Sequence, residues 1–280
     1  MEKAYTLGLY EKAMPAELSW KEKLEAAKEA GFDFVEISID ETDAKLSRLD
    51  MSERERLELL GVMQEAGVPI RTMCLSGHRK YPLGSSDPAV RARSLEIMEK
   101  AIALASDLGI RIIQLAGYDV YYEDSTEETR AYFLENLKKA AAMAASAGVL
   151  MGFETMETEF MNTVEKSMKY VNLVSSVYLN VYPDIGNTTN AAKTYGIDVL
   201  EDLRKGQGHL VAMHLKETKP GLFREIPFGE GHVDFESAIK TAWELGIRKF
   251  VTEFWYTGDP EWKKDLLDAN QRMSKILDRQ

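Results

Sequence analysis

The stretch Ala147-Gly148-Val149-Leu150-Met151-Gly152-Phe153-Glu154 holds the reading of the whole chain. A glycine follows a helix-like segment, an apolar run follows the glycine, and a carboxylate ends the run. Glycine just past a helix suits a left-handed C-cap, because it has no Cβ to clash at positive φ. The same punctuation recurs at Ala30-Gly31, Ala66-Gly67, Leu108-Gly109 and Leu245-Gly246, so successive glycines lie 36, 42, 39 and 98 residues apart. The longest interval has room for two units, with strands expected near 179–184 and 209–216. An N-terminal strand around Tyr5–Tyr10 brings the count to eight. Helix starts agree with this division. Ser19 with Glu22, Ser52 with Glu55 and Ser125 with Glu128 read as capping boxes. Asp87-Pro88 and Asp259-Pro260 read as an N-cap followed by proline at the first helical position. Strands alternating with helices imply a parallel sheet covered by helices. Eight units imply closure into one α/β domain, a single (β/α)8 TIM barrel over residues 1–280. A doubly wound open sheet would need a glycine-rich phosphate loop, and no such sequence follows a strand.

Bulk properties narrow the function. With 280 residues, 45% hydrophobic and 29% charged, the composition is that of an ordinary globular protein. A net charge of −11 without a basic cluster argues against nucleic acid as a partner. Cys74 is the single cysteine, which excludes an internal disulfide and suits a reducing cytoplasm. The apolar stretch Ala140 to Phe153 is too short for a membrane span of roughly 20 residues. No signal-peptide pattern opens the chain. A cytoplasmic, membrane-free protein is expected.

Four strand ends carry side chains that bind metals. Glu154 closes its run, Asp184 closes Leu179-Asn180-Val181-Tyr182-Pro183-Asp184, His214 closes Leu210-Val211-Ala212-Met213-His214, and Glu253 closes Phe250-Val251-Thr252-Glu253. Burying a lone charge at a strand end costs several kcal/mol unless something compensates. Three carboxylates and an imidazole make an oxygen-rich site for one divalent ion, and Zn²⁺, Mn²⁺, Mg²⁺ and Co²⁺ all fit. At the C-terminal mouth of a barrel, units five to eight would bring the four together, with the two glutamates on nearly opposite sides. Two opposed carboxylates across a metal suit inversion of a carbon beside a carbonyl. One acts as base and the other as acid, while the ion stabilises the enediolate. Each residue also has a plainer reading. Glu154 and Glu253 could pair with Lys or Arg, Asp184 could form an Asx turn, and His214 could be a core histidine.

The chain resembles the L-ribulose-5-phosphate 3-epimerases, also called L-xylulose-5-phosphate 3-epimerases, of the xylose-isomerase-like barrels. The resemblance rests on Val35 to Asp43, Met73 to Arg79, Ile113 to Tyr122, Phe160-Met161-Asn162, Asp184-Ile185-Gly186-Asn187, His214 to Gly221, and Pro227-Phe228-Gly229-Glu230-Gly231. It implies metal-dependent inversion at C3 of a ketopentose 5-phosphate in L-ascorbate and pentose catabolism. It also implies a Glu, Asp, His, Glu ligand set matching the four residues above, with Glu154 and Glu253 as the acid/base pair. A homo-oligomer such as a dimer is expected from the relatives.

The substrate would be a small sugar phosphate, either pentulose or hexulose. His78 in the loop after strand 3 is a candidate contact, as are Glu157 and Asn187, each three residues beyond a ligand. Glu36 is expected to end strand 2 as a polar wall contact. Phosphate on an acidic protein needs local cations, and Lys216, Lys219 and Arg224 follow strand 7, where Gly221, Gly229 and Gly231 could admit backbone N–H groups. Trp255 and Tyr256 could cover the sugar. Cys74 reads as an inert core thiol. Competing activities are an aldose–ketose isomerase, a dehydratase or a hexulose-6-phosphate 3-epimerase. A barrel that binds sugar phosphates without catalysis is the reading from another class.

Overall fold

Residues 3–280 are described by a computed structural model. The elements are β1 (Thr6–Tyr10), α1 (Trp20–Glu29), β2 (Phe34–Ile39), α2 (Asp43–Leu46), α3 (Glu53–Ala66), β3 (Ile70–Leu75), α4 (Pro88–Leu108), β4 (Ile112–Ala116) and α5 (Glu127–Ala147). They continue with β5 (Leu150–Glu154), α6 (Val164–Val174), β6 (Leu179–Val181), α7 (Ile185–Tyr195), α8 (Val199–Arg204), β7 (Met213–Leu215), α9 (Phe235–Glu244), β8 (Lys249–Thr252) and α10 (Trp262–Leu277). All eight strands lie in one parallel sheet ordered β6-β5-β4-β3-β2-β1-β8-β7. Two isolated parallel bridges, Val181 with Leu210 and Asp184 with His214, join β6 to β7 and close the (β/α)8 barrel.

Local sequence explains most boundaries. Gly31, Gly67, Gly109, Gly148 and Gly246 all adopt positive φ between 68° and 93°, as their places after helices require. Ser19 with Glu22 and Ser52 with Glu55 form complete capping boxes. Two expected helix starts are displaced. The box on α5 is Thr126 with Thr129, while the Ser125 hydroxyl donates to Asp119 at 2.7 Å. The carboxylate of Asp259 caps the Glu261 amide at 2.8 Å, so α10 begins at Trp262, after a turn at Pro260. At α5 the Ser125 hydroxyl is taken by Asp119 and the next residue caps the helix. Asp259 does cap the Glu261 amide, but residues 260 and 261 form a turn before the helix.

The core has two main compartments, beside a small cluster of Ala116, Tyr118 and Met156. The larger lies between sheet and helices and includes Leu24, Ile97, Leu137, Ile239 and Met273. The smaller fills the barrel with Tyr10, Phe34, Cys74, Ile112, Tyr182, Ala212 and Val251. Glycine makes that filling possible: a Cβ on Gly8 would stand 2.4 Å from the Phe34 ring, and one on Gly152 would stand 2.8 Å from the Cβ of Tyr182. Above this apolar floor the interior turns polar, with Glu36, Thr72, Gln114 and His214 all at 0% exposure. Glu36 lies in the middle of β2, not at its end, so its side chain points into the barrel beneath the mouth.

Candidate metal centre

Each of four consecutive strands delivers one donor to the mouth. Glu154 is the last residue of β5, His214 the middle of β7, and Glu253 directly follows β8. Asp184 lies beyond the end of β6 and caps α7, its carboxylate accepting the Asn187 amide at 2.7 Å. The Asx turn and the ligand position are therefore compatible in one residue. One donor atom from each of Glu154, Asp184, His214 and Glu253 lies within 4.8 Å of the others, and all four side chains are buried. His214 turns Nδ1 toward the carboxylates, 3.1 Å from Glu253, 3.8 Å from Asp184 and 3.9 Å from Glu154.

The charges alone call for a cation. Glu36, Glu154, Asp184 and Glu253 are each at most 5% exposed, and they face one ammonium, Lys216, besides the imidazole. Oδ2 of Asp184 is buried without a hydrogen bond, although Lys216 Nζ stands 3.0 Å away. With only protein charges counted, burial and then Glu253 push Glu154 well above the usual carboxylate range. Burial, with Glu253 adding and Lys216 opposing, pushes Asp184 up to about 7. Burial acts the same way on Glu253, but Lys216 and His214 outweigh it and hold that carboxyl well below its ordinary value. Burial would lower His214, yet Glu36 and Glu253 keep its imidazole well above its ordinary value. Three oxygen donors, one imidazole nitrogen and an unbonded buried oxygen fit a single divalent ion.

A cavity of about 470 Å³ opens above this cluster. Glu154, Asn187, Lys216, Arg224, Glu253 and Trp255 reach its wall, as does Glu157, whose carboxylate accepts from Tyr118 at 2.7 Å. The Asn187 amide nitrogen donates to the Thr155 carbonyl at 2.8 Å, while its oxygen is buried without a partner. Cys74 also reaches the wall, and burial drives its thiol well up, which makes it unreactive. Tyr256 donates its backbone N–H to Lys12 at 2.8 Å and lies outside the cavity lining.

Three expectations about the walls need correction. His78 is 4% exposed and turns away from the cavity, with Nε2 3.2 Å from the Ser94 carbonyl on α4. Lys219 is absent from the lining, and its backbone closes a tight turn with Leu222. Lys216 reaches the cavity but stands 3.0 Å from Asp184 and 3.4 Å from Glu253, so it offsets the charge of those carboxylates. Two of the three glycine amides are also engaged: Gly221 N–H donates to Asn190 and Gly229 N–H to Glu217. The cations facing the cavity away from the carboxylate cluster are Lys12, Arg79 and Arg224. Lys12 pairs with Asp40 at 2.5 Å, Arg79 lies 4.8 Å from the Tyr121 ring centre, and Arg224 lies 5.5 Å from that of Trp255. Sequence reasoning missed Lys12, which two residues past β1 was open to the same strand-end argument, and passed over Arg79 beside His78.

Comparison with known proteins agrees with this architecture. The family model described as xylose isomerase-like TIM barrel matches residues 24–275. The L-ribulose-5-phosphate 3-epimerase UlaE of Salmonella paratyphi A is 48% identical over 256 residues, covering 91% of this chain and 89% of that protein. The crystal structure of D-psicose 3-epimerase with D-tagatose from Clostridium cellulolyticum H10 has a TM-score of 0.80 at 17% identity, covering 97% of this chain and 99% of that one. A structure of L-ribulose 3-epimerase has a TM-score of 0.75 at 19% identity, covering 98% and 94%. At such identities these two structures speak to the fold alone. Among the described residues, no helix is long and apolar enough to cross a membrane.

Proposed function

The chain belongs to the xylose isomerase-like TIM barrels and, within them, to the L-ribulose-5-phosphate 3-epimerases; from that premise we propose that it is an isomerase interconverting L-ribulose 5-phosphate and L-xylulose 5-phosphate by inversion at C3. The observation that carries this reading is the pair of buried glutamates, Glu154 and Glu253, in one four-donor cluster beneath a cavity. Epimerisation needs a proton removed from one face of C3 and another delivered to the opposite face. Glu253, beside the Lys216 ammonium at 3.4 Å, takes the C3 proton. Glu154, whose carboxyl burial pushes above the usual carboxylate range, returns one to the opposite face. In the reverse direction the two exchange roles.

Glu154, Asp184, His214 and Glu253 would hold one divalent ion. When bound, that ion supplies Lewis-acid polarisation of the substrate carbonyl and so acidifies the adjacent C–H. Zn²⁺, Mn²⁺, Mg²⁺ and Co²⁺ are all compatible with the donor set. Lys216 keeps the base ionised. The Asn187 amide oxygen is free to accept a sugar hydroxyl, and Glu157 lines the same wall. Arg224, Lys12 and Arg79 supply positive charge for the phosphate, with Trp255 behind Arg224.

Incubation with a divalent ion and L-ribulose 5-phosphate in D₂O tests the proposal. Deuterium at C3 together with L-xylulose 5-phosphate is the expected result. Deuterium at C1 or C2 with an aldose product would make the protein an aldose–ketose isomerase. Binding without exchange would make it a sugar-phosphate receptor.

A further inference from the structure

Behind the four-donor cluster lies Glu36, whose role rests on the reading of that cluster as a cation site. Glu36 lies at the centre of β2 with 0% exposure and reaches no cavity wall. Its Oε1 stands 2.5 Å from Nε2 of His214, and its Oε2 accepts the Tyr182 hydroxyl at 3.0 Å. The other imidazole nitrogen, Nδ1, faces Glu154, Asp184 and Glu253. A neutral imidazole offers a lone pair on one nitrogen when its proton sits on the other. The carboxylate behind the ring therefore fixes which nitrogen is bare.

We propose that Glu36 is a positioning residue for the metal centre: it holds His214 as the Nε2–H tautomer, with Nδ1 directed at the divalent cation, and Tyr182 aims Glu36. Packing alone gives no reason for a carboxylate here, since an apolar side chain of similar size would fill the barrel without desolvating a charge. The Tyr182 ring sits 5.0 Å from the His214 ring at 71°, so one side chain both steadies the imidazole and hydrogen-bonds its partner. Two strands and a strand-end segment thus converge on the ring, β2 through Glu36, β4 through Gln114 at 3.1 Å, and the segment after β6 through Tyr182.

The test measures metal binding to metal-stripped protein by titration calorimetry, independently of turnover. Glu36→Gln, which keeps the volume and deletes the charge, is expected to bind Mn²⁺ or Zn²⁺ roughly 10–100-fold more weakly. Tyr182→Phe should weaken binding about 2–10-fold, the worth of one hydrogen bond. In the zinc-loaded wild type, ¹⁵N NMR should place the His214 proton on Nε2. At saturating metal, KM for the sugar phosphate should stay near wild type in both variants, which separates positioning from substrate contact. Glu36→Gln binding metal within about twofold of wild type would overturn the proposal, as would a proton on Nδ1. If Glu36→Gln does not fold, Tyr182→Phe and the wild-type NMR decide. Should the unaltered protein bind metal in this way yet fail to epimerise, the functional reading falls and the role of Glu36 stands.

Discussion

Glu154 and Glu253 differ in charge environment, although burial and residue type are the same. Lys216 lies 3.4 Å from Glu253 and His214 lies 3.1 Å from it, whereas Glu154 has His214 only at 3.9 Å. Glu154→Gln and Glu253→Gln are each expected to lower kcat by about 10²–10⁴-fold, the usual worth of a general acid or base. Metal content measured on the same samples separates lost proton transfer from a lost ligand. Either variant retaining near-normal turnover with metal bound would remove that glutamate from the mechanism. Arg224→Ala is expected to raise KM for the phosphorylated sugar by about tenfold, in line with loss of one charge-assisted hydrogen bond. The same variant should leave KM for the unphosphorylated ketose unchanged, and equal effects on both would place the phosphate elsewhere. His78 contributes to stability. Burial lowers it from 6.5 to about 4, so the folded state binds fewer protons than the unfolded one below neutrality. Its contribution is complete above pH 6.5 and is lost as pH falls toward 4, about 3 kcal/mol in all. Denaturant titrations at pH 7 and pH 5 should show this loss in the wild type, and a shallower one in His78→Gln.

These residues also mark where the sequence stops being informative. A charge closing an apolar run contradicts the run, and four such contradictions in register could be read without a structure. His78 and Lys219 sit in loops, where side-chain direction depends on backbone turns that no periodicity encodes. Lys12 and Arg79 are two among 35 Lys and Arg residues, and nothing local separates them from solvated cations.

At the scale of elements, Glu11 joins much of the β1–β2 wall. At 1% exposure it accepts from Lys23 of α1 at 3.2 Å, Lys45 of α2 at 2.5 Å, Arg48 at 2.5 and 3.0 Å, and the Ser38 amide of β2 at 2.7 Å. It precedes Lys12, so this hub also fixes one rim of the cavity. Burial opposes its charge, but Arg48, Lys45 and Lys23 bring it down from 4.5 to about 2. The stabilisation is therefore present above pH 4.5 and lost as pH falls toward 2. Glu11→Gln leaves three cations around a neutral amide and should cost about 3–5 kcal/mol, as removal of one partner from a buried ion cluster does. Urea unfolding at neutral pH measures it, and a loss below about 1 kcal/mol would mean that the cations find other partners. The strand and helix order was legible because the glycine C-caps repeat. The starts of α5 and α10 were less so, since Asp119 takes the Ser125 hydroxyl and leaves the cap to Thr126, and a turn at residues 260 and 261 follows the Asp259 cap.

For the whole molecule, the ring of strands is uneven. Seven neighbouring pairs form ladders, that of β2 and β3 with a register shift between Val35 and Glu36, but β6 and β7 meet only through the isolated bridges at Val181–Leu210 and Asp184–His214. Saturation with a divalent ion at about a hundred times its Kd should add about 2.7 kcal/mol to stability, and a chelator should remove it. Amide hydrogen exchange is expected to slow most at Val181, Val211 and His214, whose N–H groups donate across that seam. Uniform slowing over the barrel would show that the ion acts without preference for it. One of the two bridges joins residues that both offer donor atoms to the same cluster. Binding of a divalent ion there would fasten the last staves of the cask and charge the proposed catalytic centre in a single event. Substitutions that loosen the grip on the ion would loosen the hoop as well, so selection for chemistry here doubles as selection for a sound vessel.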